Sequence, residues 1–396
     1  MNNIAIYTLT SPLHDAESVY ASTQSFLEEL KLTYDFCDND YTDYGTHVLD
    51  LIYVRTGGTE NLFLQLLPDM RRQSKRPFYL LASGQDNSLA ASLEILSFLQ
   101  QQGLKGEVIH GEGSYVANRI DLLLQTGKAR LLLSKSRLGI IGKPSDWLIS
   151  STYDAAAVSR RLGIELIDID MAEVVKELKN APHGESLPVN VSESLRGFVP
   201  GAVAIYETLK RVVTKNRLDG FTIRCFDLLS SFRNTGCWAL ARLNADGIVA
   251  GCEGDVPAML TMKIGQVLTG CSGFQSNPAS INPETGEMVL AHCTIPFNMV
   301  ERYELDTHFE SGIGIGIRGF VKPGPVTVFK VSGDLSRHFV AEGELLRSEA
   351  KNSLCRTQLV VRFDNPQDAS YFLTQPIGNH HVVLPGHWRK QIEEII

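Results

Sequence analysis

Gly247-Ile248-Val249-Ala250-Gly251-Cys252-Glu253-Gly254-Asp255, running on into Val256-Pro257-Ala258-Met259-Leu260, is the stretch on which the reading of this chain turns. The apolar run before Gly251 suits a short buried strand. Beyond Asp255, the residues Val256, Met259, Leu260, Met262, Ile264 and Val267 recur at roughly helical spacing up to Gly270. Glu253 and Asp255 therefore fall at the carboxyl end of a strand, just ahead of a helix. In open α/β sheets this is where ligands bind. It is also where a carboxylate caps a helix N-terminus, and these few residues alone leave both readings open.

Working outward, the first 150 residues alternate strands and helices. Asn3 to Thr8, Val48 to Arg55, Pro77 to Ala82, Glu107 to His110 and Leu138 to Ile141 read as strands with helical periodicity between them. Two polar loops, Thr56-Gly57-Gly58-Thr59-Glu60 and Ser83-Gly84-Gln85-Asp86-Asn87-Ser88, are expected close together at strand ends. A second α/β unit spans 151–271, with its clearest loop at Pro182 to Pro188. From 272 to 396 the texture is mostly β, beginning with a hairpin around Pro283-Glu284-Thr285-Gly286. The expected fold class is α/β: two doubly wound parallel-sheet domains, 1–150 and 151–271, followed by a small barrel or sandwich.

Composition narrows the function. The chain has 396 residues, 43% of them apolar and 21% charged, with a net charge of −8. That balance, with no basic run, argues against nucleic acid as a partner. No apolar stretch is long enough for a membrane span, and the N-terminus reads as a first strand instead of a signal peptide. Seven scattered cysteines without a C-x-x-C pair suit reduced thiols in a cytoplasm. Gly314-Ile315-Gly316-Ile317-Arg318-Gly319 matches a dinucleotide-binding pattern, but Pro323 and Pro325 follow where a helix is required. Among ten histidines, His292 ends a strand, and His380 and His381 lie beside Gly378 and Asn379. Carboxylate and imidazole together suit a cation such as Mn²⁺.

The chain resembles the L-fucose isomerase and L-arabinose isomerase family, more closely its short "fucose isomerase-like" branch. The resemblance rests on Thr56-Gly57-Gly58-Thr59-Glu60, Leu80-Leu81-Ala82-Ser83-Gly84, Ile141-Gly142-Lys143-Pro144-Ser145-Asp146-Trp147-Leu148 and Arg224-Cys225-Phe226-Asp227. It continues through Cys252-Glu253-Gly254-Asp255, Leu290-Ala291-His292-Cys293-Thr294 and Asn379-His380-His381. It implies two α/β domains and a β-rich domain assembled as a homotrimer or homohexamer, with the active site shared between subunits. It also implies a Mn²⁺-dependent aldose–ketose isomerase acting on L-fucose or a related deoxyhexose or pentose through an enediol. On that resemblance Glu253 is a metal ligand and catalytic carboxylate. His380 is the C-terminal ligand, with His381 as its alternative, and His292 is a further ligand. Arg224 and His381 are assigned to the sugar, and Trp147 is expected in the core.

The chain departs from the family at one position. Fucose isomerases carry a second carboxylate 24 positions after the first, and here that residue is Asn277. An amide oxygen still ligates a hard cation but exchanges no proton at neutral pH. Asp255, two residues from Glu253, is the expected replacement. The alternative is a catalytically altered family member that binds carbohydrate without isomerising it.

Overall fold

A computed structural model describes residues 2–180 and 191–396, so the loop expected at 182–188 lies outside the described residues. The chain divides into two compact units, 1–131 and 132–396.

The first unit holds strands β1 (Ile4–Leu9), β2 (Asp35–Asp38), β3 (Leu49–Val54), β4 (Phe78–Leu81) and β5 (Gly106–Ile109). They form one parallel sheet in the order β2-β1-β3-β4-β5. β1 and β3 are buried at every position. Alternate residues feed two separate cores: Ala5, Tyr7, Ile52 and Val54 pack on one face, Ile4, Ile6, Leu51 and Tyr53 on the other. Two covered faces explain why these strands read as continuous apolar runs. Sequence reading missed β2, whose Asp35-Phe36-Cys37-Asp38 has no apolar run. The two polar loops do meet, through the Gly57 N–H donating to the Asp86 carbonyl at 2.8 Å.

The second unit begins with strands β6 (Arg137–Ile141), β7 (Glu165–Ile169), β8 (Gly220–Ile223) and β9 (Val249–Gly251), parallel and ordered β7-β6-β8-β9. The strand expected at 138–141 thus pairs with β7 and β8. After β9 comes the helix Val256–Thr269, whose first ten residues are all buried. It starts sharply, because Asp255 accepts from the Ala258 N–H at 2.8 Å and Pro257 occupies its first turn.

The remaining strands are β10 (Phe274–Asn282), β11 (Glu287–His292), β12 (Arg302–Asp306), β13 (Gly316–Phe320), β14 (Gly324–Val331), β15 (His338–Glu349), β16 (Thr357–Phe363) and β17 (His381–Pro385). Six of them close an antiparallel barrel in the order β10-β11-β16-β15-β14-β17, while β12 and β13 form a separate ribbon. The expected hairpin is β10–β11. The glycine-rich decoy lies largely in β13 and leads into another strand, so it is no nucleotide loop. The fold is therefore mixed α/β: two parallel sheets flanked by helices, followed by a C-terminal antiparallel barrel.

The helix Val256–Thr269 packs both on β9 and on β14 and β17, joining sheet to barrel. A Cβ on Gly265 would lie 2.8 Å from Leu384 Cδ2, so the approach is close. The turn between β9 and this helix is tighter still. Glu253 and Gly254 both adopt left-handed backbone, at φ 63° and 69°. A Cβ on Gly254 would come within 2.4 Å of the Lys143 carbonyl oxygen. Gly254→Ala is therefore expected to cost at least about 1–3 kcal/mol, measurable as a lowered midpoint in urea unfolding.

Candidate active site

The strained turn aims Glu253 at one end of the barrel. Neighbouring strands meet it there: Asn277 comes from β10, His292 from the end of β11, and His380 immediately precedes β17. β10 pairs with both β11 and β17, so three residues far apart in sequence lie side by side. Gln275 fixes the turn to the barrel, its side-chain oxygen accepting from the Cys252 N–H at 2.9 Å.

His292 Nε2 and His380 Nε2 each lie 3.6 Å from the same oxygen, Glu253 Oε1. That is too long for a good hydrogen bond. It is a separation expected of two ligands on one ion, each about 2.0–2.2 Å from the centre. His380 is fully buried and its Nε2 has no hydrogen-bond partner, a costly state for a polar atom unless something else occupies it. The other ring nitrogens are engaged. His380 Nδ1 lies 2.9 Å from Asp255 Oδ2, and His292 Nδ1 lies 3.0 Å from Thr294 Oγ1. Outer partners of this kind fix the tautomer of metal-binding imidazoles. Among the described residues, Glu253, His292 and His380 form the group of His, Cys, Asp or Glu able to hold a metal ion. The donor set fits one.

Electrostatics agree with the geometry. Burial pushes the Glu253 carboxyl up, but His292 and His380 outweigh it and hold the group well below the usual carboxylate range. For Asp255, burial is likewise outweighed, by Lys330 and His380. Burial pushes His380 down, yet Asp255 and Glu253 together raise it to about 9.

Asp255 is fully buried, caps the helix, accepts from Ser151 Oγ at 3.3 Å and pairs with buried Lys330 at 3.4 Å. It stands behind His380, away from the cavity lining. His381 faces the other way, as adjacent strand residues must. Its Nε2 meets the Tyr371 hydroxyl at 3.0 Å among Phe339 and Phe372, and burial lowers it to about 3. Arg224 is held by Asp146 at 2.7 and 3.1 Å, by Asp227 at 3.1 Å and by the Pro144 carbonyl at 3.0 Å. It anchors the Lys143–Asp146 loop. Asn277 lines the cavity with Glu253 and His292, and its Oδ1 accepts from Asn379 at 3.0 Å. The structure thus brings together Glu253, Asn277, His292 and His380, and sets Asp255, Arg224 and His381 around them.

One expectation is corrected. Trp147 is 52% exposed, not in the core; its indole N–H donates to Glu253 Oε2 at 2.6 Å while its ring stands edge-on to Phe226. Sequence reading also missed Thr294, His308, Glu310 and Lys330. Two of these carried a signal. Thr294 stands two residues from His292, and Lys330 sits in the otherwise apolar Val328-Phe329-Lys330-Val331, which demands a buried anion as partner.

No family model matches the chain. It is similar to curated proteins named sulfoquinovose isomerase. Over 283 residues it is 24% identical to the one from Priestia aryabhattai, covering 66% of this chain and 63% of that protein. The Alkalicoccus urumqiensis protein of the same name is 22% identical over 274 residues, covering 65% and 62%. One from Clostridium sp. (strain MSTE9) is 28% identical over 128 residues, covering 32% and 27%. The match therefore spans less than two thirds of these relatives. Among the described residues no helix is long and apolar enough to cross a membrane.

Two outcomes follow from this geometry. Asp255→Asn should lower divalent-cation affinity about 10–100-fold, read by calorimetric titration, because it loosens His380; unchanged affinity would show that Asp255 serves only the helix. In metal-free protein, a His380 pKa raised from 6.5 to about 9 adds stability below pH 6.5 that is lost as the pH rises towards 9. Its Tm should fall across that window through this group, and His380→Gln should remove that contribution.

Proposed function

We propose that this protein is a metal-dependent aldose–ketose isomerase acting on a sugar. The observation that carries the reading is the pair of imidazole Nε2 atoms converging on one oxygen of Glu253, one of them buried and unpartnered. Similarity to proteins named sulfoquinovose isomerase supports sugar isomerisation and makes sulfoquinovose the first candidate substrate, ahead of L-fucose. We assign Mn²⁺ as the cation, because the mixed carboxylate and imidazole donors suit it.

A cation held by Glu253, His292 and His380, with the Asn277 amide beside them, would polarise the sugar carbonyl and the adjacent hydroxyl. Glu253 Oε2, hydrogen-bonded to Trp147 and kept anionic by the histidines, takes the proton from C2 and returns it to C1. Asp255 acts through His380, holding the ring and tautomer that aim Nε2 at the site. Glu253, Asn277 and His292 line a narrow cavity, partly open to solvent, with room inside for an ion or a water. The sugar enters this cavity past Phe226, against which the exposed Trp147 packs, and displaces the indole from Glu253. Assembly into a homotrimer or homohexamer, with a neighbouring subunit completing that cavity, belongs to the same proposal.

Metal-stripped protein should convert no sugar, and added Mn²⁺ should restore ketose formation from sulfoquinovose or L-fucose. Glu253→Gln should abolish it, with a loss of at least about 10²–10⁴-fold. Binding of sugar and Mn²⁺ without any turnover would instead support a carbohydrate-binding protein, the reading that Asn277 favours.

A further inference from the structure

The cavity that contains Glu253 has a second carboxylate, and sequence comparison at position 277 does not find it. Glu310 lines the same cavity from the loop between β12 and β13, together with His308. This loop is built to hold a fixed position. The Gly312 N–H donates back to the His308 carbonyl at 2.9 Å, and the His308 N–H donates to the Ile313 carbonyl at 3.1 Å. On one side the loop is tied to Thr235: its Oγ1 accepts from the Ile315 N–H at 3.2 Å, and Gly314 packs so close that a Cβ there would clash at 2.3 Å. On the other, the Arg356 guanidinium donates to the Thr307 carbonyl at 2.7 Å and its hydroxyl at 3.1 Å, and lies over the Phe309 ring.

His308 is buried, and its ring stands edge-on to Phe226, which in turn packs on Trp147. Its Nδ1 accepts from the Ser311 N–H at 3.4 Å and lies 2.9 Å from Ser311 Oγ. An Nδ1 that accepts places the ring hydrogen on Nε2 of a neutral imidazole. Burial, the main cause, keeps the ring neutral by lowering it to about 4. The loop thus brings a carboxylate and a neutral N–H donor to the cavity that Glu253 also lines.

We propose that Glu310 is the second proton-transfer group of the site, replacing the carboxylate that Asn277 lacks, with the His308 Nε2–H donating to a sugar oxygen. The inference rests on the isomerase reading and completes its proton balance. Aldose-to-ketose conversion moves one proton from C2 to C1 and another from O2 to O1. Glu253 carries the first. Glu310 takes the second from O2 and delivers it to O1, and both carboxylates end as they began.

The test compares wild type, Glu310→Gln and Glu310→Gln/Asn277→Asp as full-length, Mn²⁺-loaded protein, with kcat measured on the sugar that wild type converts and Mn²⁺ affinity measured by titration. Glu310 is exposed, so its substitution leaves folding intact. Expected is a fall in kcat of about 10²–10⁴-fold in Glu310→Gln with Mn²⁺ affinity within threefold of wild type. Asn277→Asp should recover at least tenfold. A kcat within threefold of wild type in Glu310→Gln, or a loss matched by an equal loss of Mn²⁺ affinity, overturns the inference and leaves the isomerase reading standing. Absence of turnover in wild type on every sugar tried overturns the isomerase reading, and this inference with it.

Discussion

Asp255 carries a charge at a position with no access to water, and groups from four segments of the second unit satisfy it. A carboxylate in such a place is tolerable only when paired and hydrogen-bonded. The Ala258 N–H, Ser151 Oγ, Lys330 Nζ and His380 Nδ1 come from a helix start, a loop, β14 and the threshold of β17. Satisfying one aspartate therefore ties the loop after β6, the helix Val256–Thr269 and the barrel to one another. The same arrangement leaves His380 with one ring nitrogen engaged behind it and the other aimed at Glu253. Structural and chemical roles meet in that imidazole.

Glu253 completes the arrangement from the sheet side. A non-glycine residue in left-handed backbone is strained, and such strain persists only where the surroundings over-determine it. Here the Ser145 N–H donates to the Glu253 carbonyl and the Gly254 N–H donates to that of Ile223, both at 2.9 Å, while Gln275 clamps Cys252. The turn thereby aims the carboxylate at the barrel end, where it meets two imidazoles. Replacing the group by an apolar core would remove a buried charge network, which is why a site reading accounts for it better than packing does.

Much of this was legible in the sequence because periodicity and turn chemistry are local. The strand–turn–helix around Glu253, the β10–β11 hairpin and the rejection of Gly314–Gly319 as a nucleotide loop all follow from a few neighbouring residues. Glu253, His292 and His380 entered as ligand candidates through a family resemblance, and in the fold they form a buried group that could hold a metal ion. What stayed hidden depends on contacts between distant segments. Trp147 reads as core because its neighbours are apolar, yet its indole reaches a carboxylate more than a hundred residues away. Asp255 reads as a catalytic carboxylate by its spacing from Glu253, and only the packing of β14 and β17 shows that it faces a lysine and a histidine. Glu310 lies in a loop without a periodic pattern, and its place is set by Thr235 and Arg356 from two other parts of the chain.

The central claim is that Glu253, His292 and His380 hold one divalent cation. The most direct test is crystallography of protein soaked with Mn²⁺, with anomalous diffraction recorded at the manganese edge. A single anomalous peak at about 2.0–2.3 Å from Glu253 Oε1, His292 Nε2 and His380 Nε2 is the expected result. Full soaking with no peak there, or a peak held by other residues, would contradict it.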